Sequence, residues 1–317
     1  MYNDFFGFDA DPFRVNPDPR FLYLSDSHRE ALATLIYAVR ERKGFISLTG
    51  EVGTGKTTIL NVLLRKLEPT TQTAYLFNTA LSVEDFFSYL FDELELPAIE
   101  PFSKSAALHQ LNSYLIQRMR EGKQTLLIID EAQNLSTDLL EEIRMLSNLE
   151  TPTSKLIQII LVGQPELAEK LARPELRQLR QRIELRHTIE PLDENETGEY
   201  VRERLMIAGH PTGGIFTNSA LRAVHRFSGG IPRIVNVICD NALLTAFSEQ
   251  TGKVPAQLVE EAAKDLGLSD MTTGPGAVAR VAPRAKKRQR SWLRRLWSRS
   301  RRGADTESRR GMATEVR

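Results

Sequence analysis

The sequence predicts an α/β protein: a three-layer parallel sheet carrying a phosphate loop, followed by a small all-helical domain. Three observations predict it. Residues 50–57 read Gly50-Glu51-Val52-Gly53-Thr54-Gly55-Lys56-Thr57, set between an apolar run (Phe45–Thr49) and a helical one (Thr58–Leu64). Ile- and Leu-rich runs then alternate with helical segments as far as residue 189. Beyond Glu190-Pro191-Leu192-Asp193 only segments of helical period remain. Buried apolar strands alternating with helices imply right-handed crossovers and a sheet covered on both faces.

Along the chain, residues 1–24 are rich in Phe, Pro and Asp and read as an ordered but irregular lead-in. Ser27-His28-Arg29-Glu30 has the capping-box pattern and starts a helix to about Arg42, with Ala31, Leu35, Ala38 and Val39 on one face. The first strand and the loop follow. A second strand is expected at 73–77, then helices at about 82–95 and 105–121. Residues 124–130 read as a fully buried strand, 137–149 as a helix, 156–162 and 183–189 as the last two strands. Helices at about 194–208, 217–227, 232–248 and 255–266 complete the ordered chain. The implied divisions are an α/β domain over 1–190, a helical domain over 191–267 and a tail over 268–317, whose Gly, Pro, Ala and Arg content is that of disorder through 269–290.

Composition sets bounds. The chain has 317 residues, 41% hydrophobic and 26% charged, as in a soluble globular protein. No run of 18 apolar residues occurs, and Met1–Gly7 has neither the basic nor the apolar part of a signal peptide. The single Cys239, inside an apolar helical run, excludes an internal disulfide framework, suits the cytoplasm and reads as a core residue. Residues 269–317 carry fourteen Lys and Arg against four Asp and Glu, which leaves twenty-eight basic against thirty-seven acidic in 1–268. An acidic body with a basic tail places any contact with a polyanion on the tail.

The loop carries the chemistry. Its glycines let successive N–H groups face a polyphosphate, and the helix it opens favours negative charge. Residues Gly50 through Lys56, with Thr57 and Thr58, form the predicted nucleotide cradle. Lys56 would reach the β- and γ-phosphates and the Thr57 hydroxyl would ligate Mg²⁺. Asp130 ends the strand that lies about 75 residues on, where a carboxylate would hold Mg²⁺ largely through water. Glu131 is placed to polarise the attacking water. Gln133 is either a water-positioning group or an exposed residue at a helix start. Gln164, after the fourth strand, is a candidate γ-phosphate sensor or a turn residue, since open α/β sheets bind ligand beyond the carboxyl ends of their strands.

Three arginines, Arg177, Arg180 and Arg182, precede the last strand. A guanidinium delivered to a neighbouring subunit would stabilise transition-state charge, and Arg182 is the first candidate, Arg180 the second. A solvated basic helix end is the alternative. Arg233, after Gly229-Gly230-Ile231-Pro232, could reach from the helical domain to the nucleotide or lie on the surface. In the tail, Trp292, Leu293, Leu296 and Trp297 share a helical face among arginines. Peripheral binding to anionic membrane through 290–302, contact with nucleic acid and a solvated tail all fit that pattern.

The phosphate loop, Asp130-Glu131-Ala132-Gln133-Asn134-Leu135, Leu161-Val162-Gly163-Gln164-Pro165-Glu166-Leu167 and Gly230-Ile231-Pro232-Arg233 together resemble the AAA+ ATPases of the secretion-ATPase A type. Phe6-Gly7-Phe8, Pro12-Phe13 and Pro17-Asp18-Pro19-Arg20-Phe21-Leu22-Tyr23 resemble that family's opening motif, and the likeness covers about 1–267. It implies a sheet of order 5-1-4-3-2, a helical lid, and ATP with Mg²⁺ bound between subunits of a ring or dimer. Lys56, Thr57, Asp130, Glu131, Gln164, Arg182 and Arg233 would take the roles given above. It also implies a cytoplasmic ATPase serving an envelope secretion or polysaccharide-export machine. The secretion members continue into a transmembrane helix and a periplasmic peptidoglycan-binding domain, whereas this sequence ends after its basic tail, so peripheral attachment would replace the membrane helix. Two other function classes share such a site: a DNA-acting AAA+ regulator such as a transposition helper, against which the acidic body argues, and a non-hydrolysing nucleotide switch, against which Glu131 argues.

Overall fold

In the computed structural model, which describes residues 2–14, 19–77, 81–152 and 154–271, the apolar runs close into one parallel sheet. Its strands are β1 (Phe45–Gly50), β2 (Thr71–Leu76), β3 (Gln124–Ile129), β4 (Gln158–Gly163) and β5 (Ile183–Ile189). They lie in the order β2-β3-β4-β1-β5 with every pairing parallel, the order expected from the resemblance. β1 lies between β4 and β5: Phe45 pairs with Ile159 on one side and Ile183 on the other. A two-residue hairpin, Glu150–Thr151 against Ser154–Lys155, precedes β4; nothing in the apolar pattern announced it.

Alternating side chains of the buried strands divide between two layers. Ile46, Leu48, Leu126, Ile128, Ile160 and Val162 pack with Ala31, Leu35, Ala38, Ile59, Leu60 and Leu63. These last belong to α2 (Asp26–Arg40) and α3 (Lys56–Lys66). Phe45, Leu127, Ile129, Ile159 and Leu161 face the other layer, built from α4 (Val83–Glu93), α5 (Lys104–Arg120), α6 (Thr137–Leu146), α7 (Pro165–Ala172) and α8 (Arg177–Arg182). Each large aliphatic side chain so buried stabilises the sheet sandwich by roughly 1.5–3 kcal/mol before chain entropy is counted.

Helix α2 starts two residues earlier than the sequence pattern suggested. Ser25, not Ser27, is the N-cap: its hydroxyl accepts from the His28 N–H, and the His28 ring accepts from the Ser25 N–H. A histidine at the third helical position thus does what Glu30 was expected to do for Ser27. Ser27 instead accepts from the Glu190 N–H at 2.9 Å.

Among the described residues four further helices follow β5: α9 (Glu194–Ile207), α10 (Asn218–Ser228), α11 (Pro232–Ser248) and α12 (Ala256–Asp265). They share one apolar core that includes Cys239, which is fully buried. The lead-in joins this core rather than the sheet. Tyr2, Phe6, Phe8, Phe13 and Phe21 are buried against α9 and α11, and the short α1 (Tyr2–Phe6) begins the chain. Arg204 of α9 fastens it: its side chain donates to the Pro12 carbonyl at 2.6 Å and lies over the Phe21 ring at 4.8 Å. Residues 15–18 of the opening motif and the Trp and Arg segment of the tail lie outside the described residues.

Candidate nucleotide site

Ser25 caps α2, Ser82 α4, Ser103 α5, Ser136 α6, Asp193 α9 and Thr217 α10, while α7, α8, α11 and α12 have no side-chain cap. Helix α3 also receives none. Its N-cap is Gly55, at φ 96°, which supplies no side chain and turns the loop in a conformation that favours glycine. The first amides of α3 therefore keep their donors for an anion. Gly53 also stands at positive φ, 79°, and a Cβ there would lie 2.6 Å from the Arg233 Cβ. Thr54 is buried and ties the turn with a hydroxyl hydrogen bond of 2.8 Å to the Glu51 carbonyl.

Lys56 is buried and its ammonium spans the loop, donating to the Gly50 and Glu51 carbonyls at 2.9 and 3.0 Å. Burial lowers its pKa, and the carboxylates of Glu131 and Asp130 oppose that change. Thr57 donates its hydroxyl hydrogen to Asp130 Oδ2 at 3.3 Å. The phenol of Tyr75, on β2, donates to the same oxygen at 2.9 Å, and the Glu131 N–H bonds Asp130 Oδ1 at 2.9 Å. Burial, reinforced by Asp130, raises the Tyr75 pKa, so the phenol stays a donor. Thr57 and Asp130 form the hard, all-oxygen and sparse donor set that suits Mg²⁺, a cation that keeps most of its waters.

Glu131 sits at φ 52°, a left-handed conformation for a residue with a side chain, which points to strain held by its surroundings. Its Oε2 accepts from the side-chain amides of Gln133 at 2.6 Å and Gln164 at 3.2 Å. Burial pushes its pKa upward, but those two hydrogen bonds and the Lys56 charge outweigh it, and the net shift is downward. Gln133 also accepts from the Gln164 N–H at 3.1 Å, so three side chains from two loops form one chain of hydrogen bonds. Gly163 makes this possible: a Cβ there would sit 2.6 Å from Gln133 Oε1. Lys170, on α7, holds the loop from behind by donating to the Gln133 carbonyl at 2.8 Å and to that of Leu135.

A cavity of about 560 Å³ opens over these groups. Gly53, Gly55, Lys56, Thr57, Thr58 and Glu131 line it from the α/β part, Leu192, Tyr200, Arg204, Arg233 and Asn236 from the chain beyond β5, and Phe21 and Tyr23 from the lead-in. Its size lies within the usual range for small-molecule and cofactor sites. The Arg233 N–H donates to the Gly53 carbonyl at 3.3 Å, so the start of α11 touches the phosphate loop directly. Arg177, Arg180 and Arg182 are not part of the cavity. Arg180 donates to the Ala172 carbonyl at 3.3 Å and Arg182 to Ser147 Oγ at 2.7 Å.

Sequence reasoning missed Tyr75, Lys170 and His28. The first two join the site only through sheet pairing and helix packing, and leave no local signal. His28 left one: it is three residues before Ala31 on the buried face of α2, where a titratable ring needs a partner.

An AAA domain model matches residues 39–171. General secretion pathway protein A of Aeromonas hydrophila is 44% identical over 256 residues, which cover 80% of this chain and 46% of that protein. The chain therefore spans just under half the length of this relative. Among solved structures, the ORC2 protein of Aeropyrum pernix in its ADPNP and ADP complexes aligns with a TM-score of 0.59 at 18% identity, over 81% of this chain and 71% of that one. Cdc6p from Pyrobaculum aerophilum aligns at 0.60 and 19%, over 79% and 71%. These two likenesses establish the fold. With the parallel sheet order and the phosphate loop at the start of α3, the chain carries an AAA domain, and over four fifths of its length it is similar to general secretion pathway protein A.

Proposed function

We propose that the chain is an oligomerising ATP hydrolase that drives assembly or operation of a cell-envelope secretion or surface-polysaccharide export machine. One observation supports the chemistry above the others: Thr57, Asp130 and Glu131 converge at the mouth of an uncapped phosphate loop, with Lys56 beneath them. In this reading residues 1–190 are the nucleotide-binding domain and 191–267 the lid. Backbone amides of Gly50 to Thr58 cradle the triphosphate, and Lys56 leaves its carbonyl partners for phosphate oxygens. Thr57 and Asp130 hold Mg²⁺, which when bound neutralises charge on the β- and γ-phosphates. Glu131, kept ionised by two amides and the Lys56 charge, takes the proton of the attacking water. Gln164 reports the γ-phosphate to that same carboxylate, and Arg233 closes the lid side.

Arg182 acts on the neighbouring subunit's nucleotide. This role fits its place at the amino end of β5, outside its own cavity. The secretion role is drawn from the Aeromonas relative's name together with the extent of the match. The basic segment 290–302 is assigned to peripheral contact with anionic membrane. No helix among the described residues is long and apolar enough to cross a membrane.

Calorimetry and phosphate release test the chemistry. The wild type is expected to bind ATP with Mg²⁺ and turn it over. Lys56→Ala should lose binding by about 10²-fold or more, and Glu131→Gln should keep binding while turnover falls about 10²- to 10⁴-fold. Turnover that survives both substitutions would overturn the assignment.

A further inference from the structure

We infer that His28 is a positioning residue for the phosphate loop, holding its Thr54 carbonyl so that the amides of Gly55 to Thr57 stay aimed into the cavity. The inference rests on the nucleotide reading above. His28 is 5% exposed and lines the cavity beside Gly55 and Lys56. Its Nε2 lies 2.7 Å from the Thr54 carbonyl oxygen, and its Nδ1 lies 3.3 Å from the Ser25 backbone nitrogen and 2.8 Å from Ser25 Oγ. The partners assign the tautomer. A carbonyl only accepts, so Nε2 carries the hydrogen; the Ser25 N–H only donates, so Nδ1 is bare. Burial lowers the ring's pKa, in keeping with a neutral imidazole that uses one nitrogen to donate and the other to accept. The Glu196 carboxylate of α9 pulls the other way, while Arg29 of α2 and His187 of β5 add to the lowering.

The contact falls where the loop has least support of its own. Gly53 and Gly55 flank Thr54 at positive φ and bring no side chain to brace the turn. A Cβ on Gly55 would stand 2.9 Å from His28 Nε2, so the ring occupies the space a larger residue would need. Two other groups of the same helical turn reach the end of β5 and the start of α9: Ser27 accepts from the Glu190 N–H, and the Asp26 N–H donates to Glu196 at 3.0 Å. The first turn of α2 thus connects the phosphate loop to the start of α9. His28 is the member of that connection that touches the loop.

Two substitutions separate the two halves of the ring. Gln at 28 keeps a terminal amide donor near the Nε2 position, whereas Asn keeps an acceptor for the Ser25 N–H but falls short of Thr54. Hydrogen exchange of the 52–58 amides in the ligand-free protein and ATP affinity by calorimetry are read for each. His28→Asn should quicken loop exchange and weaken ATP binding about 10-fold or more, with the melting temperature close to wild type. His28→Gln should restore both. Loop exchange and affinity unchanged in His28→Asn would overturn the role of His28, whatever the wild type binds. A wild type with a protected loop and no affinity for ATP would instead overturn the nucleotide reading. Should both variants fail to fold, ¹⁵N spectra of the wild-type imidazole decide. A bare Nδ1 with an exchange-protected Nε2–H supports the contact, and the opposite tautomer refutes it.

Discussion

The two ends of the sheet treat their polar groups differently. At the carboxyl end, Thr57, Asp130, Glu131, Gln133 and Gln164 are joined in hydrogen bonds that run across three loops, beside Lys56, which donates to the Gly50 and Glu51 carbonyls. At the amino end, Gln124 and Thr125 open β3 and Gln158 opens β4, yet Gln124 Oε1, Thr125 Oγ1 and Gln158 Oε1 are buried without a protein partner. Gln158 spends only its amide nitrogen, on the Ala38, Val39 and Lys43 carbonyls at the end of α2. Polar groups at the carboxyl end orient one another and keep a charged carboxylate in place. Those at the amino end hold helix ends, and some hold nothing. Orientation among groups, more than their number, distinguishes a site from a structural seam.

Arg182 crosses this contrast, and its removal carries the largest expected effect. It belongs to the amino end, one residue before β5, and β5 runs level with β1 from Phe45 to Gly50. Six residues of strand put it roughly 20 Å from the loop of its own chain. If it completes a neighbour's site, Arg182→Ala should lower turnover about 10³-fold or more while ATP affinity of the isolated subunit stays within about twofold. Mixing Arg182→Ala with Glu131→Gln subunits should restore part of the activity, because an intact Glu131 then meets an intact Arg182 across the interface. An Arg182→Ala protein with full turnover would leave the amino end with no part in the chemistry.

The carboxyl end was legible in sequence because its parts are local. A phosphate loop, an acid pair after an apolar run and a glutamine after the next run each announce themselves within a few residues. The three inner strands β1, β3 and β4 were legible for the same reason, since a strand buried on both faces reads as a nearly continuous apolar run, whereas the edge strands β2 and β5 carry more polar residues and are only partly buried. The contacts that orient the site were not. Tyr75 reaches Asp130 because β2 pairs with β3, and Lys170 reaches the Gln133 carbonyl because α7 folds back beneath that loop. The lead-in was readable as a motif but not as a wall of the helical core, because its aromatic residues follow no period. The α2 cap went to Ser25 over Ser27 because a histidine ring can take the part usually given to Glu or Gln.

Acid should weaken the carboxyl end first. His28 sits at the phosphate loop and His187 near the end of β5, and burial lowers the pKa of both; His225 in α10 is lowered in the same way. In each case the unfolded ring, with an ordinary value of 6.5, binds a proton more readily than the folded one. Stability therefore rises with pH across that interval. It is complete above about pH 6.5 and declines as pH falls toward the lowered folded values. For the well-buried His28, each pH unit below that point costs at most about 1.4 kcal/mol. Urea midpoints measured from pH 7.5 to 5.5 should fall, and exchange at 52–58 should quicken before exchange at the amino ends of β3 and β4. A flat midpoint would show that these rings titrate in the folded state as they do unfolded.

The smallest expected effect belongs to Thr125, and its sign carries the information. Thr125 is 2% exposed on a strand buried between two layers, and its hydroxyl is one of the three unpartnered oxygens. Burying a hydroxyl without a hydrogen bond is unfavourable, so replacing it by a methyl of nearly the same shape removes that penalty and leaves packing intact. Thr125→Val should therefore stabilise the fold by up to about 1 kcal/mol, read as a shift in urea midpoint at constant slope. ATP turnover should not change, because nothing at this end of β3 touches Asp130 or Glu131 except through the strand itself. The same kind of change at the carboxyl end, Thr57→Val, would leave Asp130 with one donor fewer and remove the hydroxyl proposed to hold Mg²⁺. A Thr125→Val protein that loses more than about 1 kcal/mol would show that ordered water satisfies this hydroxyl. Thr125 would then be paired like the groups at the other end, and the contrast at the amino end would rest on Gln124 and Gln158 alone.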